Sequence, residues 1–380
     1  MKVTAVGVDV SHLYVHVPFC VHRCGYCDFV TAVGRRKEHG AYVDAVLNEL
    51  ELERGTLAEP LETVYLGGGT PTFTEAPALE RLLSGLPAAT EVTVEANPET
   101  VTPELARVLA RQGVNRISLG AQSFQPHLLS VLERRAKPGD VRSGVQTLRD
   151  AGFDNISLDF LYGVPGQSPA DLDADIDEAL SLQPEHLSWY ELEAKPGTRF
   201  THGHGEELAR QSGAMEGYFE RVVERLTGAG YRWYETASFA LSPERGDGRD
   251  LRSRHNLGYW LGHDYLGLGV GAVSTVGGMR WRNAPGLRAY VAAMSRRETP
   301  PRELEPLSED VALRERVMLR LRLDESLPLD GVEQVIDGAS MGRLERLGLV
   351  EVVGSAMRLT PRGRALGGGV TAELLAYTDT

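Results

Sequence analysis

The sequence predicts an α/β protein: a partial (β/α)6, TIM-like barrel followed by a smaller α+β, winged-helix-like domain. Three observations point there. Short β-rich runs alternate with amphipathic segments as far as Glu235; polar residues recur at the ends of those runs; and the rhythm stops after Ala237. Alternation of this kind builds βαβ units and a parallel sheet. Six units fit either an open doubly wound sheet or an incomplete barrel. Functional groups gathered at the C-terminal ends of successive strands favour the barrel.

The β-rich runs are Leu13–Val17, Thr63–Gly67, Glu91–Ala96, Arg116–Gln122, Asn155–Leu161 and His186–Leu192. Between them lie the amphipathic segments Ala41–Glu53, Pro103–Arg111, Gly139–Ala151 and Pro169–Leu182. The barrel is thus expected over residues 1–237 and a glycine-rich connecting segment over 238–300. That segment holds the charged loop Ser242–Arg249 and the glycine-rich run Asp264–Ala272, and Pro300, Pro301 and Pro306 mark a linker. Residues 301–380 form the smaller domain, with two or three helices before a hairpin over Leu349–Thr360. A DNA-reading winged helix should be basic. From Arg302 to Arg364 there are ten arginines, no lysine and twelve acidic residues, which favours a packing or protein-contact role.

The chain has 380 residues and a net charge of -13, which works against nonspecific attraction to nucleic acid or anionic lipid. No apolar stretch approaches the roughly 20 residues that span a bilayer, although peripheral membrane contact stays open. The opening MKVTAVGVDV lacks a basic region, and no small-residue cleavage site precedes Cys20, so a cytoplasmic location is expected. The three cysteines of the chain all fall between Cys20 and Cys27. A disulfide scaffold spreads its cysteines to close loops, and an odd number leaves one unpaired. A tight odd cluster points to metal.

The spacing is C-x3-C-x2-C, in Tyr14-Val15-His16-Val17-Pro18-Phe19-Cys20 followed by Cys24 and Cys27. Thiolates suit zinc or iron–sulfur clusters. A structural zinc ion needs a fourth ligand, for which His16, His22 and Asp28 are nearby candidates. Three thiolates on a four-iron cube leave one iron open to a substrate or cofactor. Downstream, Leu66-Gly67-Gly68-Gly69-Thr70-Pro71-Thr72 follows a strand; its glycines allow close backbone approach to a ligand. No Gly-Lys-Ser/Thr follows, so it is not a phosphate loop. Taken alone it is equally a strand-to-helix turn.

The run YVHVPFC with its two following cysteines, and Tyr26 before the last, resembles the radical S-adenosylmethionine superfamily. More narrowly it is similar to the oxygen-independent coproporphyrinogen III oxidase group, across almost the whole chain. The resemblance implies a [4Fe–4S] cluster on Cys20, Cys24 and Cys27, with S-adenosylmethionine chelated by the open iron and cleaved by one electron. Gly68, Gly69 and Thr70 match the motif that holds the methionine end of that cofactor. Glu95 in VEANPE, Gln122 in LGAQSF, Arg134 in LERRA and Asp159 in SLDFLYGVPGQ match further contacts, with Tyr14 and Tyr26 flanking cluster and adenosine. A carboxylate can accept ribose hydroxyls or the ammonium, and an arginine can pair with the methionine carboxylate.

The oxidase pattern carries a fourth cysteine two residues after the third; here Asp28 and Phe29 follow Cys27. Glu193 also departs from that pattern, at the place of a second S-adenosylmethionine. By contrast, His255-Asn256-Leu257-Gly258-Tyr259-Trp260 resembles the HNxxYW motif of the HemW branch. As bare chemistry His255 reads first as a buried histidine satisfied by backbone in a packed turn; the resemblance reverses this and makes it the candidate heme contact. The implied function is a heme chaperone that delivers heme to apo-hemoproteins, with a flavodoxin or ferredoxin as electron donor. The alternatives are an oxidase converting coproporphyrinogen III propionates to vinyl groups, and a zinc-stapled interaction module.

Overall fold

A computed structural model describes residues 9–375 except 194, 196 and 197; most of the opening segment read for a leader, residues 1–8, lies outside it. Six strands follow the expected runs: β1 (His12–Val17), β2 (Leu61–Gly68), β3 (Ala89–Ala96), β4 (Arg116–Gln122), β5 (Ile156–Tyr162) and β6 (His186–Glu191). They lie side by side in chain order, each parallel to the last. The helices between them include His39–Glu53, Pro103–Arg111, Pro138–Asp150 and Pro169–Ser181. Ala76–Gly85, absent from the amphipathic runs above, is also helical. Proline at the first helical position and a capping side chain (Thr102 Oγ1 on the Leu105 amide, Ser168 Oγ on the Asp171 amide) begin two of these helices.

The central residues of the strands alternate between two faces. Leu13, Val15, Val64, Leu66, Val94, Ile117, Leu119, Leu158, Phe160, Leu187 and Trp189 share one parity and are all essentially inaccessible, forming the core. The other parity is polar, and the register aligns it into rows. One row is His12–Thr63–Glu91, a second Tyr14–Tyr65–Thr93–Arg116, a third Glu95–Ser118–Ser157–His186. The sheet therefore has an apolar face under helices and a polar concave face.

The stretch read as a connector over 238–300 is part of this sheet. Two hairpin strands, β7 (Tyr231–Glu235) and β8 (Ser238–Leu241), pair antiparallel, with β8 beside β6. On the other flank β9 (Tyr265–Leu268) runs parallel to β1, followed by antiparallel β10 (Val273–Val276), β11 (Met279–Asn283) and β12 (Arg302–Pro306). The twelve strands lie in the order β12-β11-β10-β9-β1-β2-β3-β4-β5-β6-β8-β7, so the ring stays open. Of the three prolines expected to mark a linker, Pro300 and Pro301 lie in irregular backbone and Pro306 ends the edge strand β12, where a missing N–H is tolerated. These strands escape the βα rhythm because they are short, hairpin-connected and interrupted by glycine.

Beyond Leu307 a second core gathers Val317, Leu321, Leu327, Leu344, Val350, Met357, Leu359 and Leu374. It holds helices Glu309–Arg320 and Gly338–Arg346 and a three-stranded sheet of β13 (Leu327–Pro328), β14 (Val350–Val353) and β15 (Ala356–Leu359). That is the winged-helix-like domain, and its wing is the expected hairpin. It docks on β7, where Arg232 grips Asp324 at 2.7 and 2.9 Å and Arg322 meets Glu235 at 2.6 Å.

The late strands are tied to the barrel through Glu49, which is fully buried in helix His39–Glu53. It accepts from the Gly269 amide at 2.8 Å, Asn283 Nδ2 at 2.8 Å, Tyr290 OH at 2.6 Å and Arg302 at 3.2 Å. Removing one partner of a buried charged network leaves the others uncompensated. Glu49→Ala should therefore cost about 3–5 kcal/mol, read as a lowered urea midpoint, while Glu49→Gln should cost less.

Candidate cofactor cavity and the cysteine loop

β1 ends at Val17, and Pro18 turns the chain into the cysteine loop. The base of the loop is pinned: Phe19 and Cys20 pair with Ala32 and Val33, and the Thr70 amide donates to the Phe19 carbonyl at 2.8 Å. His16 Nε2 reaches the Val30 carbonyl at 2.8 Å. Across the tip, Arg199 donates to the Arg23 carbonyl at 2.9 Å and to Glu133 at 2.6 Å. All three cysteines are free, Cys20 buried and Cys24 and Cys27 partly so. Burial pushes the Cys20 thiol up to about 11, partly offset by a hydrogen bond from Thr70 Oγ1 at 3.5 Å.

The three cysteines line a cavity of about 680 Å³ at the C-terminal ends of the strands. Tyr26, Gly68, Gly69, Thr70, Glu95, Gln122, Arg134 and Asp159 line the same cavity. Eight of the nine expected S-adenosylmethionine contacts are therefore brought together. Two glycines of the β2 turn are dictated by space. Gly68 has φ 111°, and a Cβ there would sit 2.5 Å from His16; on Gly69 it would meet the Pro18 backbone at 2.6 Å. Gln122 also has positive φ, at a bulge that ends β4 and turns its side chain to the cavity.

Arg134 is the electrostatic hub. Its Nη2 donates to Asn97 Oδ1 and to the Gly120 carbonyl, both at 2.9 Å, and Nη1 leans on Cys24 Sγ at 3.8 Å. Its Nε is buried, and the Tyr26 hydroxyl lies beside the guanidinium. Glu95 accepts from Tyr65 OH at 2.9 Å and the Gly68 amide at 3.1 Å. Burial nevertheless raises its carboxyl to about 7. Asp159 accepts from Ser118 Oγ at 2.7 Å and Ser157 Oγ at 3.1 Å, and burial raises it too. Free thiols, a cation beside one of them, and buried carboxylates on the same cavity fit a cluster with an open iron and an amino-acid-bearing cofactor.

Tyr14 is not part of the lining. It hydrogen-bonds His16 Nδ1 at 3.1 Å and stacks behind Tyr65, with ring centroids 6.2 Å apart. Tyr65 takes the cavity position, with Asn97 and Ser118. The period of two carried that signal for Tyr65 and Ser118, which share the inward parity with Glu95 and Asp159.

A family model for the radical SAM superfamily matches residues 14–179, and one for the HemN C-terminal domain matches 307–366. The heme chaperone HemW of Mycobacterium tuberculosis is 35% identical over 96% of this chain and 94% of its own length. The chain belongs to the HemW family. HemW of Bacillus subtilis is 32% identical over 95% of this chain and 98% of its own length, and HemW of Escherichia coli K12 37% identical over 68% of each. Among solved structures, coproporphyrinogen III oxidase HemN of E. coli covers 97% of this chain and 91% of its own, with TM-score 0.80 and 22% identity, a likeness of fold. Among the described residues no helix is long and apolar enough to cross a membrane.

The structure sets His255 of the HemW-type motif apart from the cavity. It is 1% exposed, with Nδ1 2.7 Å from Thr63 Oγ1 and Nε2 2.9 Å from Tyr259 OH. The Tyr65 ring stacks on it at 5.0 Å, and burial lowers its pKa to about 3. Thr63 Oγ1 also meets His12 Nδ1 at 2.9 Å. Both ring nitrogens are engaged and the imidazole is neutral, so in this conformation no lone pair is open to iron. Its helix, Arg254–Leu261, is capped by Ser253 and closed by Gly262 at φ 77°, and locks β1 to β2 from below.

Two outcomes follow. Glu95 is protonated below about pH 7 and a carboxylate above it. Because burial raises this acid, the empty fold loses stability as pH rises through that range, while a carboxylate ready for an ammonium or ribose appears. S-adenosylmethionine affinity should therefore fall by up to about tenfold from about pH 8 to about pH 6, and Glu95→Gln should flatten the titration profile. His255→Ala, which strands Thr63 and Tyr259, should cost about 2 kcal/mol of stability yet leave the Soret band of a heme titration in place.

Proposed function

We propose that this chain is a heme chaperone that carries a [4Fe–4S] cluster on Cys20, Cys24 and Cys27, binds S-adenosylmethionine in the adjoining cavity, and binds heme for delivery to apo-hemoproteins. What carries the reading is the 35% identity, across 96% of the chain, to a protein named heme chaperone HemW. The single cavity that unites the thiols with Gly68–Thr70, Glu95, Arg134 and Asp159 supports the cofactor assignment.

When bound, the cluster and S-adenosylmethionine supply one-electron radical chemistry, which belongs to the cofactors. The protein binds, orients and shields. Arg134 places its guanidinium where it can meet both a cluster ligand and a carboxylate. Gly68 and Gly69 hold the turn tight against the cysteine loop, their own N–H groups being taken by Glu95 and the Val17 carbonyl, and Glu95, Gln122 and Asp159 offer oxygens and an amide to polar groups further in. Tyr26, packed against the apolar cluster that includes Leu161 and Phe200, screens the cluster side from water. The reading places the chain in the cytoplasm with a flavodoxin or ferredoxin donor. Phe29, 61% exposed where the oxidase pattern has cysteine, favours heme handling over oxidative decarboxylation.

The test is anaerobic. Reconstituted with iron and sulfide, the chain should gain the visible absorption of a [4Fe–4S] cluster, and each of Cys20→Ser, Cys24→Ser and Cys27→Ser should lose it. Heme should bind and pass to an apo-globin acceptor. Protoporphyrinogen formed from coproporphyrinogen III on adding S-adenosylmethionine and reductant would establish the oxidase instead. Stoichiometric zinc without iron after anaerobic purification would defeat both readings.

A further inference from the structure

A second cavity, of about 650 Å³, opens between helix Met215–Gly228 and the winged-helix-like domain. It shares Tyr162, Phe219 and Arg322 with the cysteine cavity, so the two adjoin. Its wall is largely apolar and incompletely covered, with Glu191 and Glu216 also on it. Met215 and Phe219 come from the barrel side; Met318, 50% exposed, and Leu366, 42% exposed, come from the C-terminal domain. Two of the large apolar side chains left in water by this fold thus face one hollow, a common mark of a binding site.

The same wall contains Arg364, only 8% exposed. Its Nη1 donates to the Trp233 carbonyl at 2.8 Å and its guanidinium lies 3.6 Å over the Trp233 ring. Nε and Nη2 have no hydrogen-bond partner among the described residues. Asp324 and Glu235 lie near enough to favour its charge, but no carboxylate hydrogen-bonds it among the described residues, and burial lowers its pKa to about 10. The neighbouring Arg322 is already committed to Glu235. Buried cation, largely apolar walls and thioethers together suit a ligand that is apolar over most of its area, carries a carboxylate at one edge and has a centre that accepts soft donors.

We propose that this interdomain cavity is the cargo site, holding heme with a propionate on Arg364 and the macrocycle against Phe219, Leu366 and Met318, whose thioether is the soft ligand offered to iron. The inference rests on the heme-carrying reading above and moves the cargo from His255 to the domain interface. A flexible thioether wall suits a carrier, because it holds a macrocycle without closing over it.

The experiment is a heme titration of the anaerobically reconstituted full-length chain, read by difference spectra in the Soret region. Losing one charge-assisted contact is worth about tenfold in affinity. Heme dimethyl ester, whose propionates are blocked, should bind the unmodified chain about tenfold more weakly than heme. Arg364→Gln should weaken heme by the same factor and the ester by little. That coincidence separates a carboxylate contact from a docking role for Arg364, and the ester arm needs no variant to fold. Met318→Ala, at an exposed position, should move the Soret maximum. If the unmodified chain binds no heme, the chaperone reading itself fails. If it binds heme but the ester, Arg364→Gln and Met318→Ala all leave affinity and spectrum unchanged, heme sits elsewhere and this site is wrong.

Discussion

In β1 to β6, alternate side chains point to opposite faces, and this chain keeps the two faces chemically distinct along all six strands. Leu13, Val64, Val94, Ile117, Leu158 and Leu187 pack under the helices, which leaves His12, Tyr65, Glu95, Arg116, Asp159 and His186 on the concave side. A polar interior is stable only when its groups find partners. The rows of the sheet provide them: Ser118 and Ser157 both donate to Asp159, Tyr65 donates to Glu95, and His186 lies between Ser157 and Tyr234. Slipping a strand by one residue would turn its polar row against the helices and, in β3, β4 and β5, a charged side chain with it. Register, site geometry and the raised pKa of Glu95 are thus consequences of one pattern.

That pattern explains how much of the fold was legible. Parallel strands buried on one face and polar on the other declare themselves by period, and the six expected runs lie within about two residues of the observed strands. The cysteine loop and strand-end residues were legible because each follows a strand directly. The flanking strands β8 to β12 were not. They are four or five residues long, their turns use glycine, and their partners are antiparallel neighbours or a strand far back in sequence, as when Tyr265 pairs with His12. Local rhythm carries no trace of such pairing.

Site residues divide along the same line. Those whose role depends on position along a strand, Glu95, Gln122 and Asp159, were placed from sequence. Tyr14 and His255 were displaced because what they do depends on long-range neighbours. Tyr65 occupies the wall in front of Tyr14, and Thr63, 192 residues before His255, takes its Nδ1. A histidine inside an aromatic motif looks alike in sequence whether its nitrogens are open or satisfied, and only the contact across the sheet separates the cases.

The second domain then acquires a reason for its position. Its docking contacts fall on β7, the free edge beside β8, where an unpaired strand would otherwise be exposed. Asp324 takes the Tyr234 carbonyl through its amide at 3.0 Å and Arg232 through its carboxylate, while Arg322 reaches Glu235. These contacts cover the edge but leave the hollow beside helix Met215–Gly228 unfilled, with Arg322 and Phe219 facing both it and the cysteine cavity. A domain serving only to cap an edge has no need to leave two N–H groups of the buried Arg364 guanidinium without a partner among the described residues, or Met318 half exposed on the same hollow. The gap in the packing is chemically selective, and it adjoins the place where the cysteines converge.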